Sequence, residues 1–190
     1  MALAIDTTPS FLPTQPQDIC STEMTISRRI LQFASLEEAV ADAESLLKTG
    51  YVKTGNWDLS QCCDHMTRVM LYPMDGFPQF PIHLRVATFI LRFTIAPMML
   101  KKMLRSNKWP ERVPTDQQSI PARTELDALS AQKFRSAVSR LLEYNGPWKT
   151  SPLFGLLPKE TLVHLHRIHC AHHLGFLVPE NIRDSYAELS

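Results

Sequence analysis

The sequence has only 6 glycines in 190 residues, few turn dipeptides, and no stretch in which apolar and polar residues alternate for long. Hairpins depend on such turns and half-buried strands on such alternation, so their scarcity argues against a β-rich fold. A chain of this length buries a sizeable core and is most naturally one domain. The sequence therefore predicts an all-α protein.

The cysteines and the charge also lack the patterns of other protein classes. The four cysteines form no CxxC pair, and Cys62 and Cys63 are adjacent, which suits a disulfide framework poorly. Reduced thiols in a cytoplasmic protein are the expectation. The net charge of +1 argues against a strongly basic surface, so no nucleic-acid partner is expected.

The two ends of the chain are predicted to lie outside the folded domain. Residues 1–25 lack the basic start and apolar block of a secretory signal, and their prolines and threonines are typical of a flexible leader. Residues 183–190 are predicted to form a C-terminal tail. The domain is therefore expected over residues 26–182.

The most apolar region, 86–104, approaches the length of a membrane span. Arg92 lies near its middle, Pro97 follows, and Lys101 and Lys102 end it. A span needs about 20 largely uncharged residues, so no integral membrane span is expected. A buried helix or a hydrophobic lid is favoured over a helix on a membrane surface.

Four segments carry the signals of helices. Ser35 with Glu38, and Asp58 with Gln61, resemble capping boxes that start the first two helices. In the third, apolar residues from Leu126 and Leu129 through Phe134 to Leu142 recur at three- and four-residue steps. The fourth carries most of the histidines. The first predicted helix runs from after Ser35 to near Lys48, and the second from after Asp58 to before Pro73. The third runs from Thr124 to before Gly146, and the fourth from near Pro158 to near Leu177. With the long insert 73–121 they predict a four-helix bundle with a long crossover and an extra helical insert.

Five of the seven histidines lie within ten residues, 164–173. Residues four apart share a helix face, so His169 and His173 point the same way and His166 lies one turn back. His172 and His164 point elsewhere. An HxxxH pair can hold a metal ion, as in zinc proteins; alternatively it is a polar face or a hydrogen-bonded core pair.

A third ligand would decide between these alternatives, and His65 in the second helix is the candidate. If this helix presents His65 to the bundle interior, three neutral imidazoles meet there. Such a set, with one coordination position open, is typical of catalytic zinc and also suits nickel, iron or manganese. Cys62, one turn before His65, is expected to be a small core residue rather than a thiolate ligand.

Two stretches, "GNWDLSQCCDHM" and "SPLFGLLPKETLVHLHRIHCAHHLGFLVP", resemble the DinB/YfiT-like superfamily of metal-binding four-helix bundles. The resemblance covers about residues 28–179 and is closest to a branch known only as a domain of unknown function. It implies a divalent metal held by one histidine of the second helix and an HxxxH pair of the fourth, which are His65, His169 and His173 here. The chain departs from the pattern at Met66, where leucine is usual, and in its enlarged insert.

Residues around these motifs receive structural interpretations. Trp57 and Phe154 are expected to anchor the core rather than to contact a substrate. Arg28 and Arg29 are expected in solvent, unless an anionic substrate uses one of them. Gly155 is predicted to serve a turn, and Gly175 to let the last helix pack closely.

The superfamily includes transferases that activate a small thiol, isomerases and hydrolases, so the resemblance implies a metal-dependent enzyme. A cation at three histidines would lower the pKa of a thiol or water, with His166 as the best candidate base. The substrate would be an unknown small molecule. The apolar insert residues would suit a hydrophobic co-substrate, or equally a core: Phe89, Phe93, Met98, Met99 and Met103.

Two alternatives remain open. The first is a non-catalytic metal- or ligand-binding bundle that acts through a homodimer or partner interface. The second is a bundle that binds no metal and retains the fold alone. A filled cavity beside His65 would favour the first alternative, whereas an open position lined by Met and Phe would favour the enzyme.

Overall fold

The computed structural model describes residues 27–110, 121–122 and 126–181. The fold is all-α, as predicted. Six helices and two short strands occur in the described ranges: α1 (Leu36–Thr49), β1 (Tyr51–Lys53), α2 (Leu59–Asp75), α3 (Ile82–Phe93), α4 (Ala96–Ser106), α5 (Asp127–Glu143), α6 (Lys159–Leu174) and β2 (Leu177–Pro179). The predicted leader 1–25, the tail 183–190 and most of the loop after α4 lie outside these ranges.

The first two helices begin where their capping residues predict. The Ser35 side chain accepts a hydrogen bond from the backbone N–H of Glu38. Asp58 accepts one from the backbone N–H of Gln61, whose side chain accepts one in return from the Asp58 N–H. These bonds satisfy N–H groups that a helix start otherwise leaves without partners.

The core lies between the four predicted bundle helices, α1, α2, α5 and α6. The α2–α5 contact is the most extensive, and α1 packs on both α5 and α6. Phe134 of α5 is the largest fully buried side chain in the described ranges, and leucines and methionines of the other helices belong to the same buried cluster. The predicted pattern for α5 was wrong at its start, because Leu126 and Leu129 are exposed.

A two-stranded sheet, which the sequence did not predict, ties the start of α2 to the end of α6. β1 and β2 pair antiparallel, with Tyr51 opposite Pro179 and Lys53 opposite Leu177. Thr54 adds two hydrogen bonds, from its backbone N–H and its hydroxyl, to the carbonyl oxygen of Phe176. The segments that enter α2 and leave α6 are therefore fixed side by side.

Two predicted helix ends were wrong. Pro73 does not stop α2, which continues to Asp75. A proline lacks a backbone N–H and so removes one helical hydrogen bond, but only two helical residues follow it here. The last helix ends at Leu174, and Leu177 belongs to β2. The predicted start of the third helix, Thr124, lies outside the described residues, and α5 begins at Asp127.

The insert forms two helices rather than one buried helix. α3 and α4 meet at a bend of 63°, and none of the described α3 residues is buried. The expectation of a buried helix over this region is therefore wrong, whereas α4 does bury Ala96 and Met103. Within the described ranges no single helix has the length and apolarity to cross a membrane; only the bent α3–α4 pair meets that test of length and composition.

Candidate metal site

The structure brings His65, His169 and His173 together, as the sequence predicts. The Nε2 atom of His169 lies 3.3 Å from Nε2 of His65 on α2 and 2.9 Å from Nε2 of His173, one turn along α6. All three ligand atoms lie within 4.8 Å of one another. Tetrahedral coordination with metal–nitrogen bonds of about 2.0–2.1 Å would place nitrogens about 3.3 Å apart, so the arrangement fits a divalent cation.

Hydrogen bonding among the three imidazoles does not account for both contacts of His169. A neutral imidazole nitrogen either carries one proton or offers one in-plane lone pair, so it makes one conventional hydrogen bond. Nε2 of His169 faces two other Nε2 atoms at bonding distance. A cation would engage all three lone pairs at once, which is why the donor set favours a metal.

The electrostatic environment keeps the α6 pair neutral. Burial lowers the pKa of His169 well below its ordinary value, and the neighbouring imidazoles of His173, His65, His166 and His172 lower it further. Burial is also the main cause of the lowered pKa of His173. Metal ligation requires neutral imidazole, so both side chains are in the right protonation state at neutral pH.

Two tryptophans flank the three histidines. The ring of Trp57, just before α2, stacks on His173 with centroids 5.1 Å apart and planes within 6°, and lies 5.0 Å from the His65 ring. Trp109, just after α4, covers His169 at 4.4 Å. Trp57 packs against the hydrophobic core, as expected, and it also contacts two of the three histidines. The two tryptophan rings therefore pack against all three histidine side chains.

A hydrogen-bond network at the start of α2 sets the position of His65, two turns further on. Asp127 of α5 accepts hydrogen bonds from the Ser60 backbone N–H and from the Tyr51 hydroxyl, at 2.9 Å each. The Tyr51 oxygen in turn accepts one from the Leu59 N–H. Burial is the main cause that raises the Tyr51 pKa to about 12, so the phenol keeps the proton that it donates to Asp127.

Arg28 and Arg29 are partly buried and make defined contacts, whereas they were expected in solvent. Arg29 donates two hydrogen bonds of 2.8 Å to the carboxylate of Asp42, and a third to the Leu174 carbonyl oxygen at the end of α6. Arg28 lies over the Phe176 ring at 4.3 Å and places a guanidinium nitrogen 3.3 Å from Nδ1 of His172. Both arginines therefore hold the end of α6 that carries His173.

Gly175 has the close-packing role that the sequence predicts. A Cβ there would lie 2.8 Å from the Arg29 carbonyl oxygen, and the Gly175 carbonyl oxygen accepts a hydrogen bond from the Arg29 N–H. Gly155 also serves its predicted turn. Its φ of +76° is unfavourable for other residues, and a Cβ would meet the Arg92 guanidinium.

The other α6 histidines do not join the three. Nε2 of His166 is buried and finds no hydrogen-bond partner among the described residues. Burial lowers the pKa of His166 to about 4, so it is neutral at physiological pH. His164 instead contacts Asn107 Oδ1 through its Nε2, at 2.6 Å.

The described cysteines belong to the core, as predicted for Cys62. Cys62, Cys63 and Cys170 are free and buried. Burial is the main cause that raises the pKa of Cys62 to about 12, with the carboxylates of Asp58 and Asp127 adding to it. Without a bound metal its thiol is protonated at neutral pH, and its sulfur lies 3.9 Å from the His173 carbonyl oxygen.

A cavity of about 860 Å³ opens beside the histidines. His166 and His169 form part of its wall, together with Trp109. No described lining residue is charged, and most are leucine, phenylalanine or proline. The apolar lining residues come from α2, the following loop, α3, the loop before α6, and α6: Val69, Phe77, Phe80, Leu84, Leu91, Leu153, Phe154, Leu157, Leu162 and Leu165.

The predicted apolar lining was wrong in detail. Phe89, Phe93 and Met98 are exposed and Met103 is buried, and none of the five predicted residues lines the cavity. Leu84 and Leu91, on the other side of α3, line it instead. Phe154, expected in the core, also faces it. The sequence signal for Trp109 was its place in an otherwise polar loop, which is too weak to assign a contact.

Comparison with known proteins gives a family but no characterised relative. A family model described as a protein of unknown function (DUF1569) matches residues 25–180, which include both histidine motifs. No curated protein and no solved structure matches the chain. The likeness to a domain of unknown function is confirmed, and the wider DinB-like assignment stays a prediction. The chain belongs to the DUF1569 family.

Proposed function

We propose that this protein is a divalent-metal-dependent enzyme that acts on an apolar small molecule. The observation that carries the proposal is the convergence of three histidine Nε2 atoms, one of which belongs to His169 in the wall of a large apolar cavity. Catalytic metal sites keep a coordination position open beside a substrate pocket, whereas structural sites are closed by protein ligands. The open cavity therefore favours an enzyme over a non-catalytic bundle.

The chain's own residues would hold the metal through His65, His169 and His173. Zinc, nickel, iron and manganese all accept imidazole ligands. Such a cation supplies a lowered pKa for a thiol or water, which makes a nucleophile near neutral pH. The proposed reaction class is therefore thiol transfer or hydrolysis. The DinB-like resemblance, which implies the same ligands and a bundle fold, supports this class.

The cavity selects the substrate by its lack of charge. A charged molecule would lose hydration without a compensating partner, since none of the described lining residues is Lys, Arg, Asp or Glu. An apolar molecule would gain about 25 cal/mol for each Å² of surface removed from water. Its polar end would lie toward His166 and His169.

His166 is the proposed residue that handles a proton or orients the reacting end. Its buried Nε2 has no partner among the described residues, and such a group is costly to leave unpaired. A substrate or nucleophile group that hydrogen-bonds this nitrogen would remove that cost. Because burial makes it a weak base, we assign it hydrogen bonding during the reaction rather than storage of a proton at neutral pH.

The reaction would take place in the cytoplasm, where the free thiols of Cys62, Cys63 and Cys170 would stay reduced. This setting would also supply small thiols as co-substrates. The proposal needs no partner protein, although a homodimer is compatible with it.

Metal analysis tests the proposal directly. Protein purified without chelator or histidine tag is analysed by mass spectrometry, beside His65→Ala and His169→Ala. One equivalent of metal is expected in the wild type and little in either variant. His164→Ala is the matched control, because it removes an imidazole from the same helix but outside the three.

Absence of metal from the wild type, even after reconstitution with each of the four ions, would contradict the proposal. With metal present, thiol transfer to apolar electrophiles and hydrolysis of apolar esters and amides would be assayed with wild type and His166→Gln. We expect the variant to keep its metal and lose turnover; full turnover in His166→Gln would remove His166 from the mechanism.

A further inference from the structure

The insert surface, defined as the exposed side chains of α3 and α4 (82–106), is unusually apolar. Nine of the thirteen exposed large hydrophobic residues in the described part of the chain lie there: Ile82, Leu84, Val86, Phe89, Ile90, Leu91, Phe93, Ile95 and Met98. Phe89, Phe93 and Met98 each expose more than 60 % of their surface. Two of the nine, Leu84 and Leu91, also line the cavity on the other side of α3. A concentration of large exposed apolar side chains marks a contact with a partner or a membrane.

The same surface carries charge of one sign. Between residues 76 and 110 the chain has six Lys and Arg and no Asp or Glu, although its overall net charge is only +1. Arg92 is partly buried against Gly155. The other five are exposed: Arg85, Lys101, Lys102, Arg105 and Lys108. The remainder of the chain is therefore net negative, and the cations are concentrated beside the apolar side chains.

We propose that the insert surface docks on an anionic lipid membrane. Helices with large apolar residues and Lys or Arg lie in the plane of a membrane interface, where apolar groups enter the acyl boundary and cations meet lipid head groups. The bend of 63° between α3 and α4 divides the insert into two short helices, which suits helices that lie along a membrane surface.

Charge distinguishes a lipid from a second copy of the chain. A symmetric dimer through this face would bring the same cationic patches of two chains together, and like charges across an interface are unfavourable. Anionic lipids instead attract each Lys or Arg near the surface. The occupant that complements both the apolar side chains and the cations is therefore a lipid membrane.

The insert surface lies next to the apolar cavity, because both include residues of α3. α3 supplies Leu84, Thr88 and Leu91 to the cavity wall, while Phe89 and Ile90 are exposed on the same helix. Docking would bring the cavity wall close to the lipid phase, where apolar molecules are concentrated. Membrane binding itself needs no metal, so it can be tested apart from the proposed function.

Vesicle co-sedimentation tests the proposal with the full chain. We expect binding to phosphatidylcholine vesicles that contain about one-third phosphatidylserine, weaker binding to pure phosphatidylcholine, and weakening with salt. Each Lys or Arg near the surface contributes about fivefold in affinity, so Lys101→Glu with Lys102→Glu should weaken binding more than about 20-fold. Phe89→Ser with Ile90→Ser should also weaken it strongly.

Matched variants separate the insert surface from general surface effects. Leu126→Ser with Leu129→Ser removes two exposed apolar residues outside the insert, and Lys48→Glu with Lys53→Glu reverses two exposed cations elsewhere. Both should bind vesicles like the wild type, as should His169→Ala. Equal loss in insert and control variants would overturn the proposal.

Sedimentation velocity without lipid gives the competing outcome. We expect the wild type and the Phe89→Ser, Ile90→Ser variant to have the same oligomeric state. A wild-type dimer that this variant converts to monomer, together with no binding to anionic vesicles, would assign the face to a second copy and refute the lipid proposal.

Discussion

The bundle and the insert are both rich in apolar residues but use them differently. In α1, α2, α5 and α6 the buried apolar side chains form one core, to which Phe134 belongs. In α3 none of the described residues is buried, and large side chains such as Phe89 face outward. An apolar pattern therefore predicts a helix but does not predict what that helix packs against. The bundle holds the three histidines of the candidate site. The insert forms part of the wall of the adjacent cavity and exposes apolar side chains on its outer face.

The largest expected effect contrasts two phenylalanines. Phe134→Ala in the bundle should lower the free energy of unfolding by about 3–5 kcal/mol, because it empties a fully buried site. Phe89→Ala in the insert should change it by less than about 0.5 kcal/mol, because this side chain is 61 % exposed. Urea unfolding followed by circular dichroism measures both. Similar losses in the two variants would show that the insert surface is buried in solution.

A bound metal should stabilise the bundle through the three site histidines. Removal of the insert histidine should leave this stabilisation unchanged. A cation at 100 times its dissociation constant should raise the free energy of unfolding by about 2.7 kcal/mol. Thermal unfolding with and without added metal should show this shift in wild type and in His83→Ala, whose histidine is exposed on α3. The shift should vanish in His169→Ala. A shift that persists in His169→Ala would mean that the metal binds elsewhere.

Acid should destabilise the metal-free bundle through its buried histidines. The pKa of His166 falls from 6.5 to about 4 on folding because of burial. Above pH 6.5 neither state gains a proton at this residue; between pH 6.5 and 4 only the unfolded chain does, so stability falls as the pH falls. The slope for one such histidine is about 1.4 kcal/mol per pH unit.

Urea unfolding of the chelator-treated protein across this window tests that slope. His166→Gln should reduce it, whereas Phe89→Ala removes no titrating group and should keep the wild-type slope. An unchanged slope in His166→Gln would show that the imidazole is accessible to protons in the folded state.

The smallest expected effect concerns the one function that the insert shares with the bundle, the cavity wall. Leu84 of α3 lines the cavity and is 43 % exposed, and Leu129 of α5 does not line it and is 44 % exposed. Leu84→Glu should weaken the binding of an apolar fluorescent probe by several-fold, since a charge would enter the apolar wall. Leu129→Glu should leave it unchanged. Fluorescence titration measures both affinities, and equal affinities would place the probe outside this cavity.

Local signals predicted the bundle and its three histidines well. Capping residues fix where α1 and α2 begin, and the four-residue spacing of His169 and His173 fixes their common face on α6. Both depend on neighbours in sequence. Placing His65 opposite this pair required an assumption about how α2 and α6 pack against each other. The family resemblance supplied that assumption.

Features that depend on long-range contacts could not be predicted in the same way. An apolar helix pattern is the same for a buried and a surface helix, so the exposure of α3 was missed. Trp109 reaches His169 only because α4 returns the chain over the site. The strands β1 and β2 have three residues each, too few for alternation to be visible.

A crystal structure of the metal-loaded protein, with anomalous data at the metal's absorption edge, tests the central claim most directly. For zinc, the account predicts one strong peak about 2.0–2.1 Å from the Nε2 atoms of His65, His169 and His173, with the remaining coordination position toward the apolar cavity. A peak elsewhere, or ligation that fills every position with protein atoms, would contradict it.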